Sequence, residues 1–66
     1  MADTRLSKTL REARLKRSLT QAQVAQEAEV STNWYARYER GEEPASFKTT
    51  EKIFKVLGLK MPAPFN

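Results

Sequence analysis

Sixty-six residues make one small domain, 1–66, with no chain to spare for a second, and its core is at best marginal without a cross-link or a partner. Cysteine and histidine are both absent, which removes disulfides, the usual zinc ligands and the commonest general base, so no enzyme, zinc finger, metal or cofactor is expected. Twelve Lys and Arg against eight Asp and Glu leave a net charge of +4, which favours a polyanionic partner without identifying it.

From Thr4 to Arg17 the apolar residues Leu6, Leu10 and Ala13 recur at spacings of four and three among Lys8, Arg11, Glu12, Lys16 and Arg17. This pattern predicts an amphipathic helix capped by Asp3 or Thr4. Thr20 with Gln23 three residues on forms a capping box, so a second helix starts near Gln21. Ser31 offers the next N-cap, and Gly41 is placed to end a third helix that carries Trp34, Tyr35, Tyr38 and Glu39. The stretch 20–41 therefore predicts two short helices joined by a tight turn, too short to stand without the rest of the chain. Glu42, Glu43 and Pro44 interrupt the pattern. Ser46 then caps a last helix bearing Phe47, Ile53, Val56 and Leu57, which Gly58 ends. Pro62 and Pro64 keep the tail, about 60–66, extended. Four helices are expected around a core of Leu6, Leu10, Ala13, Leu19, Val24, Ala25, Ala28, Val30, Tyr35, Tyr38, Phe47, Ile53, Val56 and Leu57. No apolar run approaches a membrane span and MADTRLSK lacks the apolar core of a signal peptide, so a cytoplasmic location without a membrane partner is expected.

The run LREARLKRSLTQAQVAQEAEVSTNWYARYERG resembles the helix-turn-helix of the Cro/C1 repressor class, also called the XRE family. Matching features are Leu10 and Arg14, the Leu19-Thr20-Gln21 start of the second helix, Val24 and Ala25, Val30-Ser31 after the turn, and Glu39-Arg40-Gly41. The resemblance covers about residues 6–59. It implies an all-α, small four-helix, lambda repressor-like domain that binds double-stranded DNA sequence-specifically and controls transcription. The resemblance further implies a homodimer on an inverted-repeat operator, and a repressor is the expected role. A bound protein of this kind would be nucleoid-associated. Three departures stand out. Glu29 occupies the turn position usually held by Gly, where a left-handed residue with a side chain costs on the order of 1 kcal/mol. The proline-containing tail cannot form the fifth helix of many members. Glu42 and Glu43 lie in a loop that often approaches DNA phosphates, so they are expected to turn outward or to leave contact to backbone amides.

On a helical wheel with Asn33 at zero, Arg37 lies at about 40°, Arg40 at about 340° and Ala36 at about 300°, while Tyr35 and Tyr38 lie at about 200° and 140°. A polar helix face is usually just solvated. Here its residue types match major-groove chemistry: Arg pairs with guanine O6 and N7, Asn with adenine N6 and N7, and Ala meets a thymine methyl. The helix from about Thr32 to Arg40 is thus the expected reader, with Ser31, Thr32, Asn33 and Arg37 on the bases. Gln21, at a helix N-terminus, is the expected phosphate clamp. Arg40 and Lys48 are further backbone candidates, as is Trp34, which either packs on a deoxyribose or stacks on Tyr38. The resemblance makes Arg14 and Glu39 an internal ion pair. Phe54, Leu59, Met61 and Phe65 are left over after the core is filled; they form a dimer surface or, for Met61 and Phe65, fold back over the monomer. The competing function is a protein-interaction adaptor, or antitoxin-like partner-binding domain, docking through Trp34, Phe54 and Phe65. No small-molecule ligand is expected.

Overall fold

A computed structural model describes residues 5–60. Its four helices are α1 (Arg5–Lys16), α2 (Gln21–Ala28), α3 (Thr32–Glu39) and α4 (Phe47–Leu57), and no strand occurs among the described residues. The fold is all-α, as expected. Three of the four starts are set by one local device. Thr20, Ser31 and Ser46 sit in extended backbone and accept from the N–H three residues on, at 3.0 Å from Gln23, 3.0 Å from Trp34 and 3.2 Å from Thr49. At Thr20 the box is completed by its own N–H donating to Gln23 Oε1 at 2.8 Å. The expected cap of α1, Asp3 or Thr4, lies outside the described residues.

The four ends also share one device. After each helix a residue with positive φ reverses the chain, and the next N–H returns to a carbonyl five residues back: Leu19 to Arg14, Val30 to Ala25, Glu42 to Arg37 and Leu59 to Phe54, at 2.8–3.0 Å. Gly41 and Gly58 hold two of the reversals, Ser18 and Glu29 the other two. Glu29 is left-handed at φ 63°, the conformation a glycine would adopt most easily at this turn between α2 and α3. Ser18, at φ 57°, is a reversal that sequence patterning did not reveal.

The core consists of Leu10, Val24, Ala25, Ala28, Tyr35, Tyr38, Ile53, Phe54 and Leu57, with Ala13, Leu19, Val30, Trp34, Ala45, Val56 and Leu59 packed partly buried around it. α2 packs on α3 and α4, and α1 on the same two helices. Two expected core residues lie outside: Leu6 is 45% exposed and Phe47, the first residue of α4, is 52% exposed. Phe54 corrects the reading of a dimer surface. Three residues before Leu57 and next to Ile53, it belongs to the inward stripe of α4 and is 6% exposed. Leu59 is partly buried against the same core. Met61 and Phe65, the other two residues of that surface, lie outside the described residues.

Candidate nucleic-acid interface

The site is built on α3, whose two faces have opposite environments. Tyr35, Tyr38 and Glu39 are buried, whereas Ser31, Thr32, Asn33 and Arg40 are exposed and Arg37 is partly so. The inward face is fixed by a polar network around Glu39, 3% exposed. Arg14 donates a fork to it, Nε to Oε2 at 2.8 Å and Nη2 to Oε1 at 3.1 Å, and a third N–H to the Leu19 carbonyl at 3.1 Å. Tyr35 Oη donates to Oε2 and Gln21 Nε2 to Oε1, each at 2.9 Å. Burial alone would raise the Glu39 carboxyl pKa. The hydrogen bonds from Arg14, Gln21 and Tyr35 outweigh it and hold the value below the ordinary one. Hydrogen bonding to Glu39 raises Arg14, and burial, reinforced by the neighbouring carboxylate, raises Tyr35. The network joins the end of α1, the start of α2 and the end of α3, so it orients the two helices of the motif relative to each other.

The expected ion pair between Arg14 and Glu39 is thus present. Gln21 has a role beyond the one expected. Its amide is turned to Glu39, with one Nε2 hydrogen engaged there. Trp34 lies flat against Tyr38, with ring centroids 5.2 Å apart and planes 8° apart, and packs on the core edge. Of the alternatives for Trp34, the stack on Tyr38 is present. Lys48 is exposed in the first turn of α4.

Of the two alternatives for Glu42 and Glu43, the structure does not show them turned outward: each is paired with an arginine of the exposed face. Arg37 Nε donates to Glu43 Oε2 at 2.8 Å, and Arg40 donates from Nε and Nη2 to the two oxygens of Glu42 at 3.0 and 3.1 Å. The Gly41 reversal places the two carboxylates beside the arginines of the helix they follow. Alternating charge around Gly41 was the available signal in the sequence. At the turn between α2 and α3, Lys52 reaches from α4 to Glu29 at 2.6 Å in an exposed pair.

Four packed helices, a capped two-helix motif and an exposed polar face on its second helix define a helix-turn-helix domain. The chain belongs to that family: the model described as "Helix-turn-helix domain", a domain of the kind found in XRE/Cro-type regulators, matches residues 5–64. No curated protein matches the chain, and no solved structure matches it either. Membership carries DNA binding as the general property of the domain and is typical of non-enzymatic proteins. Among the described residues no helix is long and apolar enough to cross a membrane.

Proposed function

We propose that this protein is a sequence-specific regulator of transcription, acting as a repressor, which lays α3 in the major groove of double-stranded DNA. The observation that carries this reading is the division of α3: its inner face is consumed by the core and the Glu39 network, while Ser31, Thr32 and Asn33 stand exposed at its N-terminal end with Arg37 one turn on. A recognition helix presents its first turns to base edges. Arg37 and Asn33 supply the bidentate groups for guanine and adenine, and Ser31 and Thr32 the hydroxyls that accept either role. Gln21, Trp34, Arg40 and Lys48 flank this face as backbone contacts. A homodimer on an inverted repeat, with recognition helices about 34 Å apart, completes the proposal. The adaptor reading is the weaker one, because Phe54, one of its three aromatic anchors, is buried in the core and Trp34 is already stacked on Tyr38 at the core edge.

The test is selection of bound sites from a random duplex library at physiological salt, with Arg37→Ala in parallel. An inverted repeat should emerge, and Arg37→Ala should cost about 1–3 kcal/mol and blur one base pair per half-site. Recovery of no motif would leave only electrostatic attraction and would favour the adaptor.

A further inference from the structure

Arg37 and Arg40 both meet carboxylates, but differently. Arg40 spends a fork on Glu42, with Nε and Nη2 both engaged. Arg37 is held at one point, Nε to Glu43 at 2.8 Å, and among the described residues neither of its Nη groups makes a hydrogen bond. Glu43 is also the less exposed acid, 29% against 42% for Glu42. Its backbone is restrained on both sides. Pro44 limits the conformations of the residue before it, and the Glu42 N–H bonds at 2.8 Å to the carbonyl of Arg37 itself, tying the loop to the turn of α3 that bears the arginine.

A guanidinium can meet the O6 and N7 of guanine side-on, through Nε and one Nη, or end-on through both Nη groups. With Nε already donated, only the end-on mode is open. We propose that Glu43 is a specificity-determining positioning residue, which holds Arg37 by Nε so that both Nη groups are presented together to one guanine. This rests on the reading of α3 as the recognition helix. The carboxylate repels the phosphates of any duplex, and only a base that satisfies the oriented arginine offsets that repulsion. Glu43 therefore lowers affinity for all DNA while raising the preference for the right site.

The experiment uses the full chain, with circular dichroism confirming the fold of each variant. Binding is measured to the selected site, to that site with the Arg37-dependent base pair replaced, and to random duplex. Wild type is compared with Glu43→Gln, Glu43→Ala, Arg37→Ala and the Arg37→Ala/Glu43→Ala double variant. Both Glu43 variants should bind random duplex more tightly, by about twofold or more, because each removes a negative charge. Glu43→Ala should lose about fivefold or more of the discrimination at that base pair, and Glu43→Gln, which keeps a carbonyl acceptor of the same reach, should keep most of it. In the double variant, removing Glu43 should alter discrimination no further than Arg37→Ala alone. Wild-type discrimination in Glu43→Ala, equal losses in Ala and Gln, or a loss that persists without Arg37 overturns the positioning role while leaving α3 as the reader. If Arg37→Ala itself leaves every base preference unchanged, the assignment of Arg37 fails, and the role of Glu43 fails with it.

Discussion

The inner and outer faces of α3 carry the same chemistry, an arginine beside a glutamate, in two environments. Inside, Arg14 and Glu39 are 13% and 4% exposed at their side chains, and Glu39 accepts further hydrogen bonds from Tyr35 and Gln21. Outside, Arg37 and Arg40 meet Glu43 and Glu42 at similar distances, but with side chains 29–54% exposed. The geometry is alike and the energetic consequence is not. A buried pair is expensive to break because the survivor is left charged without water, whereas an exposed pair loses little because solvent and salt replace the partner. The inner pair therefore sets the angle of the motif. The outer pairs stay hydrated, so losing one costs the fold little, and their carboxylates bear on what Arg37 and Arg40 can reach rather than on stability.

The largest effect should come from breaking the inner pair. Arg14→Ala leaves Glu39 buried without its cation and should cost about 3–5 kcal/mol by urea denaturation, against about 0.5 kcal/mol or less for Arg37→Ala on the outer face. Total stability for a domain of this size is only about 3–10 kcal/mol, so Arg14→Ala should lose a large share of it, and any loss of DNA binding should follow the fraction unfolded. Comparable losses in the two variants would remove the distinction between the faces.

The same contrast can be sharpened with pH. The Glu39 carboxyl is held below its ordinary value of 4.5, so at acid pH the unfolded chain takes up a proton more readily than the folded one. The stability this group contributes is complete above about pH 4.5 and is lost as pH falls through the lower, folded value. Measured from pH 7 downward, the stability gap between wild type and Glu39→Gln should narrow in that acid range. Glu29 and Glu42, whose carboxyls are also lowered by cationic partners, are present in both proteins and cancel in the comparison. A gap that stays constant to low pH would mean that Glu39 acts through shape alone.

Local rules made most of the fold legible. The caps Thr20, Ser31 and Ser46 and the reversals at Gly41 and Gly58 were visible because each depends on a few neighbouring residues of definite chemistry. Ser18 was not, because serine has no preference for the left-handed backbone it adopts there, so its identity gives no signal. Phe47 and Phe54 exchanged roles. Both lie on the apolar stripe of α4; periodicity does not say where along it the core ends, which misplaced Phe47, whereas Phe54, between Ile53 and Leu57, was legible from the stripe itself. Of the site, the division of α3 into buried and exposed faces followed from the wheel. The pairing of Arg37 and Arg40 with the next two acids did not, since it depends on the direction in which the Gly41 reversal returns the chain.

The smallest expected effect on folding, and the most informative about the outer face, belongs to Glu42→Gln. Both members of this pair are exposed, and its fork engages Arg40 from Nε and Nη2. Replacing Glu42 should leave the denaturation midpoint unchanged, since the surviving arginine remains in water. DNA binding should respond, because Arg40 no longer has to leave a carboxylate before it reaches a phosphate and one repulsive charge is gone. Affinity should rise alike for the selected site and for random duplex, since a phosphate contact carries no base information. The dependence of log affinity on log salt should steepen by about one, the value for one more neutralised phosphate. A stability loss without a change in salt dependence would instead make Arg40 and Glu42 part of the framework, and the boundary between a buried inner face that sets the fold and a hydrated outer one would have to be drawn beyond Arg40.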